Sequence, residues 1–275
     1  MRLTESEDFS VYNGEGTVLR RAQMRMLDIL IEFDTICRKH NISYWIDYGT
    51  LLGAVRHGGF IPWDDDLDVS ILREDYQKLY TILETELPTD FVCQDWRNEQ
   101  KLTMKCLKIR DTKSYYAEPN VQKGDLKHQG IFMDVFPIER IPTVKIRRFI
   151  SNIYGKSFRH KRRLTNSNAK YVQALMLWPF SVCLGQCSRF MAYILKSKRV
   201  ANIYGGLNFQ CTHSVNDLFP LKEISFEGKL FYAPANYDQY LRDIYKDYMQ
   251  IPPVDKRAVH ATEIIFLEDE KNSKV

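Results

Sequence analysis

Residues 44 to 71, YWIDYGTLLGAVRHGGFIPWDDDLDVSI, decide how this chain folds. Ile42 to Tyr48 is β-branched and aromatic and predicts a strand, after which Gly49-Thr50 opens a short helix from Leu51 to Arg56. His57-Gly58-Gly59 breaks that helix, and Leu67 to Leu72 predicts the next strand. Between them Asp64, Asp66 and Asp68 alternate along an extended segment that points all three carboxylates to one side. Two such charges about 4 Å apart repel by roughly 4 kcal/mol at an effective dielectric of about 20. A fold that gathers them needs a cation or must raise a carboxyl pKa. All-oxygen ligands favour a hard ion, magnesium or manganese, with coordination positions left for substrate phosphates. A Gly-Thr turn ahead of such a cluster suits metal-assisted chemistry on a nucleotide phosphate.

Working outward, Val18 to His40 places Leu19, Ala22, Met26, Ile29, Leu30, Phe33 and Cys37 at helical spacing, and Asn41 is a fitting stop. Arg73 to Leu87 predicts a helix closed by Pro88. Phe91 to Trp96, Thr103 to Arg110, Lys113 to Glu118 and Gly130 to Phe136 are further strands, which makes the fold class α/β (α+β). After Pro142 the pattern becomes a basic amphipathic helix, with Val144, Ile146, Phe149, Ile150, Ile153 and Phe158 at helical spacing. Tyr171 to Ser188 carries no charge, but Pro179 and Gly185 interrupt it and it falls short of the roughly 20 apolar residues a membrane span needs. Leu218 to His260 holds a Phe-Glu-Gly hairpin, a helix from Ala235 to Tyr248 and a stop at Pro252-Pro253. The expected domains are a catalytic core over 18–140, a basic helical insertion over 141–205, and a C-terminal part of the same domain over 206–265.

The 275 residues suffice to bury roughly three quarters of the unfolded chain's surface. The start, MRLTESEDFSVYNGEG, is polar and partly acidic, which argues against a secretory signal and for a cytoplasmic chain. Six cysteines without a CxxC pair predict free thiols in the core and no structural zinc. From Arg140 to Asn216 there are fourteen Lys and Arg and no Asp or Glu, so this stretch carries +14 while the whole chain carries +4. Such segregation favours docking on an anionic membrane surface at the inner face of the cell membrane, against a basic cap over the site. Aromatic residues are interleaved there, but no nucleic-acid-binding module is present, and no nucleic-acid partner is expected.

Spacing separates the chemistries open to the Asp cluster. An EF-hand loop starting at Asp64 would need Gly and Glu where the chain has Val69 and Asp75. A dehalogenase-type phosphatase nucleophile should follow a hydrophobic strand, and Asp66 follows two more carboxylates. A nucleotide-sugar glycosyltransferase using Asp-x-Asp usually needs a longer nucleotide-binding half ahead of the motif; it stays open as an alternative, as does a donor-binding relative without turnover.

The block Tyr44-Trp45, Gly49-Thr50-Leu51-Leu52-Gly53, Arg56-His57-Gly58 and Ile61-Pro62-Trp63-Asp64-Asp65-Asp66-Leu67-Asp68 resembles the nucleotidyltransferase superfamily, and more closely the LicD family, which includes the fukutin-related phosphotransferases. The resemblance continues through Met133-Asp134-Val135-Phe136-Pro137 and PANYDQYLRDIYKDYMQIPPVDKR. It implies a nucleotidyltransferase-like mixed sheet and transfer of a substituted phosphate, often phosphocholine, from a CDP-activated donor such as CDP-choline to a sugar hydroxyl of a glycan, one that could be lipid-linked, releasing CMP. The chain departs from the family at Lys246, where relatives commonly have Gly.

The expected roles follow. Asp66, Asp68 and Asp134 are the candidate catalytic residues and metal ligands, with Asp134 also activating the acceptor hydroxyl. Gly49 and Thr50 would let a phosphate approach backbone N–H groups at a helix start. Arg56 and His57 at that helix's end, Trp63, and Asp64 beside the ligands are candidate substrate contacts. So are Lys105, Lys108 and Arg110, which put a cationic face on one strand, and His260, reaching back from the tail.

Overall fold

The computed structural model describes residues 8–99, 101–102, 106–119, 121–162, 168–202, 211–257 and 259–272, giving the backbone alone for 154–162, 168, 170 and 270–272. In chain order its elements are α1 (Ser10–Asn13), α2 (Val18–Lys39), β1 (Tyr44–Ile46), α3 (Tyr48–His57), β2 (Asp68–Leu72), α4 (Arg73–Glu86), β3 (Phe91–Gln94), β4 (Leu107–Asp111), β5 (Ser114–Tyr116), β6 (Phe132–Arg140), α5 (Val144–Arg162) and α6 (Asn168–Ile194). There follow β7 (Arg199–Ala201), β8 (His213–Ser214), α7 (Val215–Leu218), β9 (Lys222–Phe226), β10 (Lys229–Ala233), α8 (Tyr237–Tyr245), β11 (Ile264–Phe266) and α9 (Leu267–Asn272).

The fold is mixed α/β, as expected. Its main sheet runs β1-β2-β6-β4-β3, with β7 on the far end of β6 and β8 beside β7. Only β2 and β6 are parallel; β1 on β2, and β4 and β3 beyond β6, are antiparallel. The stripe expected along α2 is fully buried at Ala22, Met26, Ile29, Leu30, Phe33 and Cys37, in one cluster with Val69, Ile71, Leu107, Ile109, Met133 and Val135 of the sheet. Fully burying a side chain such as Leu30 or Phe33 contributes about 1.5–3 kcal/mol. With one sheet face taken by apolar residues, the alternate positions Asp68, Ser70, Lys108, Arg110 and Asp134 fall on the other.

Pro137 lies inside a central strand, where a missing donor usually breaks a ladder. The Asp134 amide donates to Leu67 on the β2 side, so by alternation the Pro137 nitrogen points to the opposite edge. There β4 has ended, its last partner being Val135, and β7 first pairs at Glu139. The proline thus occupies the gap between two neighbours, and β6 runs past the Phe136 boundary read from sequence.

Several boundaries moved. The first strand is shorter than Ile42 to Tyr48 because Asp47 caps α3, its carboxylate accepting from the Tyr48 amide at 2.7 Å. Only Asp68 of the alternating aspartates is in a strand; Asp64 to Leu67 are irregular, so a loop gathers the cluster. Pro179 and Gly185 do not interrupt α6, which runs 27 residues. The carbonyl freed by Pro179 belongs to Leu175, an exposed residue, so its loss of a donor is milder than in a core. The thiols divide: Cys37, Cys93 and Cys106 are buried, Cys211 is half-buried, and Cys183 and Cys187 are exposed because α6 turns that side outward. The Phe-Glu-Gly hairpin is present as β9 and β10, with Gly228 at φ 75°.

Lys246 ends α8 at φ 63° and ψ −105°, a region that disfavours any residue with a Cβ. The departure from Gly seen in the sequence therefore carries backbone strain. Lys246→Gly is expected to raise stability by about 1 kcal/mol, read as a higher urea midpoint with unchanged slope.

Candidate active site

The register of three strands builds the centre of the site. Asp68 on β2 is paired with Asp134 on β6, and Asp134 is paired on its other side with Lys108 on β4. The three side chains form one row across the polar sheet face. Lys108 is 2% exposed, and its Nζ lies 2.9 and 3.0 Å from the two Asp134 oxygens, 3.7 Å from Glu118 and 3.5 Å from the Phe132 ring centre. Burial would push the ammonium down, but Asp134 and Glu118 outweigh it and hold Lys108 above its ordinary value. Asp66 reaches the row from the loop, its side chain 27% exposed. Burial pushes the carboxyls of Asp64, Asp66 and Asp68 up, and their mutual repulsion with Asp65, Asp134 and Asp47 adds to it; His260 and Lys108 partly counter this at Asp66.

The loop is held from several sides. The Asp68 amide donates to the Thr50 hydroxyl at 2.8 Å. Gln23 of α2 donates to the Asp64 carbonyl at 2.8 Å. Asp65 is fully buried and accepts from the Tyr116 hydroxyl and from the His260 and Ala261 amides. His260 Nδ1 lies 3.0 Å from Asp65 and 3.7 Å from Asp66. Burial would raise Asp65, but these hydrogen bonds, first that of the His260 ring, hold it below the usual carboxylate range. The same bond, with nearby Asp66, raises His260.

Beneath the loop, Asp47 is buried and accepts from Tyr48, Ser70 and Tyr240. Burial raises it to about 6, against those bonds. A Cβ on Gly49 would lie 2.6 Å from an Asp64 carboxylate oxygen. The N-terminus of α3, read from sequence as a phosphate cradle, is thus flanked by two carboxylates of the chain itself. Gly49 gives Asp64 its room, and Thr50 positions Asp68.

The other candidates scatter. Arg56 donates to the Tyr248 carbonyl at 3.0 Å and to the His57 ring at 3.0 Å. His57 packs edge-on against Phe9 and Trp63, and burial, then Arg56, lowers it to about 4. Trp63 is 6% exposed, between Tyr12 and the Arg257 guanidinium 4.5 Å over its ring. These three join the N-terminal helix to the tail. Arg110 is fully buried on Gln94, Gly130 and Glu118, so the face it shares with Lys108 is neither solvated nor free for a phosphate. Lys105 lies outside the described residues.

Residues not singled out in the sequence complete the site. Asp47 carried a signal, an Asp just before a helix. Asp65, Tyr116 and Glu118 meet their partners only through long-range packing. Beside the row, Tyr48 and Tyr245 open onto a cavity of about 860 Å³ whose lining is mostly polar, including Arg199, Thr212, Ser214, Gln239, Asp243 and Lys246. Burial, then Asp68 and Asp64, raises the Tyr245 phenol, which marks its nearness to the carboxylates.

Two sets of side chains compete as ligands for a cation. Asp64, Asp65 and His260 bring one ligand atom each within 4.8 Å of one another, the one grouping this tight among the described residues. Asp65 has spent its oxygens on four donors, however, and the His260 ring is turned to it. Burial and repulsion outweigh the opposing groups at Asp64, Asp66 and Asp68, and Asp134 lies beside them, paired with Lys108. An all-carboxylate donor set of this kind fits a hard divalent ion.

A mixed sheet with paired aspartates on adjacent strands, behind which an Asp-capped helix carries Gly49 and Thr50 in its first turn, fits a nucleotidyltransferase-type protein. The profile described as LicD/FKTN/FKRP, nucleotidyltransferase domain, matches residues 41–181, and the chain belongs to that family. It is 28% identical over 263 residues, covering 88% of this chain and 95% of the relative, to the lipopolysaccharide cholinephosphotransferase LicD of Haemophilus influenzae. An uncharacterized Rickettsia prowazekii protein is 32% identical over 139 residues, 49% of this chain and 50% of its own length. The human ribitol 5-phosphate transferase FKRP is 56% identical over 34 residues, 12% of this chain and 7% of its own.

Raised carboxyl pKa values withdraw stability as pH climbs above the unfolded value near 3.9, fully so above the folded one. His57, lowered to about 4, acts oppositely, withdrawing stability as pH falls below about 6.5. A cation held by Asp66 and Asp68 would have to displace their protons, so any rise in melting temperature on adding magnesium or manganese is expected to be larger at about pH 8 than at about pH 5.5. Asp68→Asn should abolish that difference. Gly49→Ala should leave the melting temperature nearly unchanged, since the flexible end of Asp64 can shift, while lowering turnover about tenfold by misplacing that carboxylate.

Proposed function

We propose that the protein transfers phosphocholine, or a related substituted phosphate, from a CDP-activated donor to a sugar hydroxyl of a cell-surface glycan or its lipid-linked precursor, releasing CMP. That it is a LicD-type phosphotransferase follows from family membership and from identity along nearly the whole of a cholinephosphotransferase. The observation that carries the finer reading is the row Asp68, Asp134, Lys108 with Asp66 at its mouth, beside a cavity lined by hydroxyl, amide and carboxylate groups. Such a lining suits a sugar, and Arg199 and Lys246 add positive charge at its rim for phosphate.

In this reading Asp66, Asp68 and Asp134 hold magnesium or manganese, which would neutralise charge on the donor diphosphate. Asp134 takes the proton of the acceptor hydroxyl as its oxygen bonds to the transferred phosphorus and the phosphorus–oxygen bond to CMP breaks. Lys108 keeps Asp134 turned towards the row. The Asp65 hydrogen bonds keep the His260 ring beside Asp66, within reach of a phosphate oxygen. Action in the cytoplasm, where the donor would be taken up by the protein, belongs to the same proposal.

The test is magnesium-dependent CMP release from CDP-choline, CDP-ribitol, CDP-glycerol and CDP-ethanolamine with candidate glycan acceptors. One donor is expected to turn over, with Asp66→Ala lowering the rate at least about a hundredfold. Appearance of sugar on the acceptor without phosphate would replace this reading with a glycosyltransferase, and donor binding without release would replace it with a binding protein.

A further inference from the structure

The helix α6 is built inside out. Its buried positions among the described residues are all small: Ala174, Ser181, Gly185, Ser188 and Ala192. On the opposite side Val172, Met176, Phe180, Phe190 and Ile194 fall in one stripe at helical spacing and are exposed, Met176 at 73% and Phe190 at 64%. Water gains nothing from such a face, and a single soluble surface seldom carries so many large apolar residues in register. The helix sits outside the main core: the cluster of Ile141, Ile150 and Ala201, with Ile146 and Leu184 against it, is separate from the one that holds the sheet. Arg189 ties α6 to Glu139 of β6 at 3.1 Å, which joins the helix to the central sheet.

What covers the stripe is indicated by charge. The acid-free run from Arg140 to Asn216 carries +14. Its described cations include Lys145, Arg148, Lys196 and Lys198, all exposed. They lie where the start of α5 meets the end of α6, joined there by the Arg140 and Ser197 hydrogen bonds. Exposed Phe149 lies among them. A second copy of the chain would bring like charge against this surface, whereas an anionic bilayer brings the opposite sign together with an apolar interior. Among the described residues no helix is long and apolar enough to cross a membrane.

We infer that the α5–α6 hairpin docks on the surface of a membrane containing anionic lipid, laying the Met176, Phe180 and Phe190 stripe into the acyl boundary while the flanking lysines and arginines meet the headgroups. This does not rest on the transfer chemistry, and its test needs no substrate. The full chain is floated with phosphatidylcholine vesicles containing about one third phosphatidylglycerol, and with phosphatidylcholine alone. Binding to the anionic vesicles is expected, weakened severalfold by about 0.5 M salt. Met176→Glu/Phe180→Glu should lower it at least about tenfold with an unchanged melting curve, the sites being exposed. Lys145→Glu/Arg148→Glu should weaken it without touching the stripe. Equal binding by wild type and both variants would overturn the inference. So would failure to bind anionic vesicles, and a wild-type dimer in light scattering that the Met176 and Phe180 variant dissociates would assign the face to a second copy.

Discussion

The parallel pairing of β2 with β6 is the constraint on which the rest of the molecule depends. It sets Asp68 beside Asp134, two carboxylates that repel one another in a poorly hydrated place. A parallel pair needs a long crossover, and the chain between these strands supplies α4, β3, β4 and β5. The crossover returns β4 to the outer side of β6, and with it Lys108, the one buried ammonium in the row. Lys108 offsets the charge of Asp134, while Asp68 keeps a raised carboxyl.

The acidic loop shows how neighbouring residues of one chemical type come to do different work. Asp64 hangs over Gly49, Asp65 is locked inside by amides and a phenol, Asp66 stays partly open, and Asp68 begins the strand. Burial raises three of them, and hydrogen-bond donors lower the fourth. Asp65 also explains why the tail belongs to the site: its bonds to His260 and Ala261 draw the C-terminal segment onto the loop, and the pairing of β11 with β5 sets the same segment beside Tyr116. The Arg257 guanidinium over Trp63 repeats that closure with apolar and cationic contacts.

Local patterns were legible wherever the physics was local. The stripe of α2, the Asn41 stop with φ 52° and the hairpin at Glu227-Gly228 follow from side-chain spacing and backbone sterics, whereas Lys246 stood out only against the family's pattern. The pair Asp66 and Asp68 stood out because carboxylates are seldom gathered without a task, and Asp134 entered through the family resemblance. Arg56, His57 and Trp63 were less legible: polar and aromatic residues near a site look alike in sequence whether they face a substrate or join two segments, and the contacts these three make join the N-terminal helix to the tail.

The sequence by itself determined the class of sheet, the helix behind it, the acidic centre and the segregation of positive charge, because propensity, periodicity and charge act between near neighbours. Only the tertiary structure decided which carboxylates stay uncompensated, since that depends on strand register and on donors arriving from residues as distant as Tyr116 and His260. It alone set Lys108 against Asp134, gave the Thr50 hydroxyl to the Asp68 amide, and turned the large side chains of α6 outward. Burial and pairing are properties of the whole packed chain, and no local stretch contains them.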